Sequence, residues 1–418
     1  MADVVEFPNF PNFPNRRDNR DDSPQDEDTD FIDEGLDDDD QEKAPQSKGR
    51  LLFGALIPIA VGAVLVLLVL LQTQARTYTS ATYTKVMDLL TEDGVQYTSL
   101  DGSIVSVSRD GASAMDTKGR QVWNITFDMQ QPIVASAGSY MAIGDYDGST
   151  IYLVSGKESI GTMDTNMPIR ALQVAENGEV AAVLNDTSTT WIYLFDISGN
   201  TIAYFKTTMS QSGYPLTTAI SPNGQVVAVS HLTIGTEQVS TSISFHNFGA
   251  AGQNVVEKNV GGFNFENEIC PYLTYLNDNT CVAVTDKELL YFTGTDSPAQ
   301  GASVSFDGEV QGVYSNDRYV ALVFADTSGE AEWDIQVYDT AGNLVSTIPY
   351  SMDYTQIQLC GDRIVIIDDQ NLMIYSVDGT KKFGDVLDKT IRAVIPMETS
   401  SSRLTLITDT EMDSVRLE

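Results

Sequence analysis

Residues 193–205 read YLFDISGNTIAYF, and the phrase returns in looser form as QVYDTAGNLVSTI at 336–348, SAMDTKGRQVWNI at 113–125 and LMIYSVDGTKKFG at 372–384. Each copy joins two alternating apolar runs through a turn built on Asp and Gly. A period of two marks a strand with one face buried, and an Asp- and Gly-bearing turn between two such runs marks a hairpin. Working outward from 193–205, two further strand-like runs precede it, IRALQV and EVAAVLN. The repeating unit therefore has four strands: a (IRALQV), b (EVAAVLN), c (TWIYLFD) and d (TIAYFKT).

Units of this kind begin near Val95, Pro132, Pro168, Pro215, Pro271, Val310, Thr355 and Ile391. Four strands recurring about every forty residues are the signature of a β-propeller, in which radial repetition leaves only short, protected edges. The expected fold class is all-β, an eight-bladed propeller over 77–418, with seven blades as the alternative if the first or last unit is incomplete. The last unit offers IRAVIP, RLTLITD and DSVRLE and then the sequence stops, one strand short. TYTSATYTKVMDLL at 77–90 is a spare strand-like segment ahead of the first unit, so we expect it to close the ring as the missing outer strand.

Blade geometry places b–c loops and d–a links on one face, and a–b and c–d turns on the other. The longest connections, DYDGST at 145–150, HLTIGTEQVSTS at 231–242 and FADTSGEAEWD at 324–334, read as b–c loops, and GGFNFENE at 261–268 and PYSMDY at 349–354 read as d–a links. Extended loops on a rigid scaffold commonly carry binding, and exposed aromatics are favoured contacts. The candidate contacts on that face are Tyr214, Phe263, Phe265, Tyr350, Tyr354, Asp145, Asp147, Glu237 and Asp326. The competing reading is that these rings pack between blades.

The 50 residues before the first apolar segment hold sixteen Asp and Glu against six Lys and Arg and almost no aliphatic side chains. That leaves too little apolar surface to offset the entropy of folding, so 1–50 reads as a disordered acidic tail. Within it, EFPNFPNFPNRR displays Phe7, Phe10 and Phe13 at a regular interval, a pattern that suits a linear docking motif and equally suits low-complexity sequence in a disordered tail. LLFGALIPIAVGAVLVLLVLLQ at 51–72 carries no charge and matches the hydrocarbon thickness of a bilayer, so it reads as one transmembrane helix. Lys43, Lys48 and Arg50 crowd its N-terminal flank, which places the tail in the cytoplasm and the propeller outside, as a single-pass protein of the cell membrane.

A net charge of −35 with no basic stripe argues against nucleic acid as a partner. Cys270, Cys281 and Cys360 have no metal-ligand spacing, and a hairpin turn centred on Asp278 and Asn279 sets Cys281 opposite Tyr275 or Leu276, away from Cys270. Buried, unpaired thiols are expected. His231 and His246 fall on strands b and c of one unit and lack a third ligand. Asp145 and Asp147 in DYDGS begin a calcium-loop pattern but lack its distant bidentate Glu, and such turns are common in hairpins. No cofactor is expected, with calcium at Asp145 and Asp147 as the alternative. Trp123, Trp191 and Trp333 sit at strand positions suited to blade packing. No nucleophile elbow, zinc-protease motif, P-loop or dinucleotide fingerprint is present.

SVSRDGASAMDTKGRQVWNITFDMQQPIV, YPLTTAISPNGQVVAVSHL and SISFHNFG together resemble a family of bacterial single-pass membrane proteins known as domain of unknown function 5711. The resemblance covers most of 77–418 and implies a WD40-like or quinoprotein-like propeller behind one membrane anchor. It carries over no catalytic or ligand residue. The expected function is a non-enzymatic interaction module that binds a protein or glycan at the cell envelope. The alternative is an envelope hydrolase using carboxylates on the loop-rich face, which a pocketed pair of acids with raised pKa would favour.

Overall fold

The computed structural model describes residues 76–418 apart from 93, 187–188, 208–211, 236–237 and 398–399. The acidic tail with Phe7, Phe10 and Phe13, the apolar segment 51–72 and Glu237 lie outside the described residues. Among the described residues, no helix is long and apolar enough to cross a membrane.

Residues 96–126, 132–164, 169–207, 214–266, 272–305, 312–350 and 356–386 each form one four-stranded antiparallel sheet with its strands in the order a, b, c, d. The eighth sheet takes Ile391–Pro396, Arg403–Thr408 and Glu411–Leu417 as a, b and c, and Ala81–Asp88 as its outer strand. This last strand runs from Ala81 opposite Leu417 to Asp88 opposite Glu411, with a register shift between Lys85 and Met87. The eight-bladed ring closed by the N-terminal strand is therefore the observed fold, and the seven-bladed alternative falls away.

Burial explains why the four strands read differently in sequence. Strand b has a blade on either side, so both of its faces lose water and it reads as a continuous apolar run. Thr280–Val284 is buried at every position and Val180–Asp186 at its first five. Strand d is outermost and alternates, as in Thr201–Thr207 and Leu344–Tyr350. The core accordingly divides into eight apolar clusters, each shared by two neighbouring blades. Ile335, Val337, Ile357 and Ile364 join the sixth and seventh blades, and Ile104, Ile395, Ile407 and Met412 join the eighth to the first.

The Asp of the recurring phrase builds the c–d turn. Asp196 Oδ1 accepts the N–H of Ser198 and of Asn200, and its Oδ2 accepts the Asn200 side-chain amide, at 2.8–2.9 Å. Asp339 does the same with Ala341 and Asn343, and Asp116 with Lys118 and Arg120. The Gly of each turn has φ near +80°, which an L side chain adopts only with strain. In the seventh blade the carboxylate moves to Asp378, beside Gly379, and accepts from Thr380 N–H.

Candidate functional site

The loop-rich face is smaller than its sequence suggests. HLTIGTEQVSTS is largely a long hairpin, strands Val226–Ile234 and Val239–Asn247, rather than a loop. GGFNFENE belongs to strand Asn259–Glu266, and Tyr350 ends strand Leu344–Tyr350. The alternation simply continues through Gly261 and Gly262, turning Phe263 and Phe265 toward the fifth blade. Phe263 lies 5.0 Å from the Phe292 ring, and Phe265 packs on the same cluster. Tyr350 is 3 % exposed, and Tyr354 packs edge-on against Trp333 at 5.7 Å. These four rings pack between blades, with Phe263, Phe265 and Tyr354 remaining partly exposed.

Asp326 is also occupied. Its carboxylate accepts the backbone N–H groups of Ala331, Ser328 and Glu330, which hold its pKa well below the usual carboxylate range and staple the b–c loop. Asp145 accepts the N–H groups of Gln130 and Gln131 at 3.0 and 2.7 Å, and Asp147 pairs with Arg170 at 2.7 Å. No group of three or more His, Cys, Asp or Glu that could hold a metal ion occurs among the described residues.

Tyr214 stands apart, 46 % exposed at the start of the fourth blade's inner strand. Near it on the same face, the Arg170 guanidinium lies 4.9 Å over the ring of Tyr146, itself 37 % exposed, and comes within electrostatic reach of Tyr214. Sequence reasoning found Tyr214 and Asp147 but missed Tyr146 and Arg170. The available signal was a cation in an innermost strand, IRALQV, a feature shared with IRAVIP of the eighth blade.

The histidines do not form a site. His231 is opposite Ser242 and His246 opposite Val227, four rungs apart on the hairpin. His246 stacks on Phe205 at 3.9 Å and contacts the Glu257 carbonyl and the Ser244 hydroxyl. His231 is 3 % exposed, and among the described residues neither ring nitrogen has a hydrogen-bond partner. Burial, and next the proximity of His246, pushes its pKa down to about 4. Cys270 and Cys281 are buried free thiols, with Cys281 opposite Tyr275, and Cys360 is half-buried. Burial pushes the Cys270 thiol up to about 11, away from reactive thiolate.

A cavity of about 1280 Å³ opens on the opposite, a–b and c–d, face and runs into the central channel. Its acids are Asp362 and Asp378, and the Ser376 hydroxyl holds Asp378 below its ordinary pKa. Burial raises the carboxyl pKa of Glu179 and Asp334, but these belong to different blades and neither lines the cavity. The two acids whose pKa burial raises thus lie outside this cavity.

Among solved structures, Sqt1 from Chaetomium thermophilum superposes with a TM-score of 0.50 at 10 % identity, over 77 % of this chain and 95 % of that one. BamB from Moraxella catarrhalis gives 0.48 at 13 % identity, over 81 % and 98 %. At such identities the likeness to Sqt1 speaks for the propeller fold alone. None of the curated proteins compared matches the chain. The model of a family of unknown function, DUF5711, matches residues 74–417, and the chain belongs to that family.

Proposed function

We propose that this protein is a non-enzymatic interaction module of the cell envelope. In this reading the chain is held in the membrane by segment 51–72, with its acidic tail cytoplasmic and its propeller outside. The propeller binds a protein or glycan partner on the face that carries Tyr146, Arg170 and Tyr214. The observation that supports it is this half-exposed pair of tyrosines around one arginine, the residue types that dominate binding energy at interfaces. The rigid inner strands that carry Arg170 and Tyr214 reduce the entropy cost of binding.

The test is photo-crosslinking in cells from position 214. A discrete adduct from position 214, absent from position 256 on the opposite face and lost in Arg170→Ala, supports the reading. Equal labelling from both positions, or an adduct indifferent to Arg170, refutes it. Deleting residues 2–36 in parallel tests the tail: a partner captured only with the tail present assigns docking to Phe7, Phe10 and Phe13.

A further inference from the structure

The chain carries 24 Lys and Arg, six of them in residues 1–50, and 59 Asp and Glu, sixteen of them there. Of the eighteen cations that remain, four line the cavity of about 1280 Å³: Arg76, Arg318, Arg363 and Lys382. Of the forty-three remaining acids, only Asp362 and Asp378 do so. A strongly acidic molecule therefore turns a cationic surface into this concavity, the reverse of what chance placement of its charges gives.

Arg318, half-exposed on the rim, pairs with Asp362 at 3.0 Å and with Asp317 at 3.8 Å. Arg363 lies deeper, and its guanidinium donates to the carbonyl oxygens of Ser401 at 3.1 Å and Met397 at 3.3 Å. Among the described residues it has no carboxylate at ion-pair distance, and three of its five N–H donors remain for a ligand. Burial lowers its pKa, and the nearby Asp362 offsets that only in part. The walls also present hydroxyls and amides from the innermost strands: Tyr97, Ser99, Tyr272, Ser315, Gln356 and Gln358. Tyr272 and Ser315 share a 2.9 Å hydrogen bond across two blades.

We infer that this cavity is a binding site for an anionic, hydroxyl-rich ligand, a sugar or polyol bearing carboxylate or phosphate groups. Arg318 and Arg363 would take the anionic oxygens, and the tyrosines and glutamines would pair with hydroxyls. Guanidinium forks match carboxylate and phosphate geometry, and aromatic rings with amide side chains suit a polyol that is both apolar on its faces and polar at its edges. The site lies on the face opposite Tyr214, and the inference does not rest on the partner proposed for that face.

Calorimetric titration of the full-length protein tests it with four probes: trigalacturonate, glycerol 3-phosphate, maltotriose and inorganic phosphate. Trigalacturonate or glycerol 3-phosphate should bind at least tenfold more tightly than maltotriose, and which of the two does so separates a carboxylated from a phosphorylated source. Arg318→Gln, whose side chain makes only rim contacts, should weaken that binding about tenfold at an unchanged melting temperature. Tyr214→Ala should leave it unchanged. If maltotriose binds as well as both acids, or Arg318→Gln and Arg363→Gln bind like the parent, the inference is wrong. If inorganic phosphate alone matches the best probe, the hydroxyl-binding half of it is wrong.

Discussion

At the scale of single residues, the c–d turns show how the repeat is written. The Asp carboxylate replaces a missing backbone acceptor, and the Gly three residues on supplies a left-handed φ. Gly342 has φ +83°, and a Cβ there would meet Ala302 at 3.2 Å and the Tyr291 ring at 3.3 Å. Gly342→Ala should therefore cost about 1–3 kcal/mol in urea unfolding. Gly379→Ala, at φ +89° but with nothing nearer than 3.8 Å, should cost less. Equal costs would show that backbone strain alone decides. His231 makes a different demand, since its folded-state pKa of about 4 lies below its ordinary value of 6.5. Between those two values the unfolded chain holds the extra proton, so stability is full above pH 6.5 and falls as the pH drops toward 4. The slope reaches about 1.4 kcal/mol per pH unit for this one group. Unfolding measured from pH 7 to 4.5 should show that slope, and His231→Leu should flatten it, leaving the smaller share of His246.

At the scale of elements, the eighth blade depends on a strand from the other end of the chain and on a cluster of charges beside it. Lys389 reaches both Glu411 and Asp413, the latter at 3.2 Å, while Lys85 of the N-terminal strand reaches Glu411 at 3.2 Å. Asp413 is 1 % exposed, so Lys389→Met strands a buried carboxylate. Because Lys389 itself is 39 % exposed and screened by water, the expected loss is about 1–2 kcal/mol, recovered in Lys389→Arg. No change in the melting curve would mean that water already serves Asp413. Such elements were legible in sequence wherever period and turn chemistry agreed. The Asp-Gly turns gave c and d, continuous apolar runs gave b, and the missing final strand gave the role of 81–88. Strand ends were not legible, because alternation runs on through Gly261 and Gly262 and carries Phe263 and Phe265 out of the supposed loop. Nor was the pairing of Arg170 with Tyr146, or the gathering of Arg318 and Arg363 in one cavity. Those neighbours belong to different blades and meet only when consecutive blades pack, although the a–b turns NDR at 316–318 and GDR at 361–363 repeat the same Asp-Arg step.

At the scale of the whole molecule, ring closure is the feature on which the other seven interfaces depend. Each blade packs on two neighbours, so an open ring loses one interface outright and exposes the edge of Glu411–Leu417, a strand whose Val415 and Leu417 are buried. The clasp is fixed by more than its ladder. Tyr83 donates its hydroxyl to Asp385 of the seventh blade at 2.7 Å, Tyr78 N–H donates to the Lys382 carbonyl, and Ser80 and Glu418 exchange backbone hydrogen bonds. Two truncations separate the clasp from everything before it. A chain starting at residue 76 keeps all these contacts and should melt with the full-length protein. A chain starting at residue 89 should melt at a lower temperature and elute as dimers or larger species, as free edges pair between molecules or accept another chain's strand. A synthetic peptide of residues 77–90 should return it to a monomer, because the edge it vacates is specific in register from Ala81–Leu417 to Asp88–Glu411. If the shorter chain instead remains monomeric with an unchanged melting temperature, the seven inner interfaces suffice and the N-terminal strand is a covering rather than a clasp.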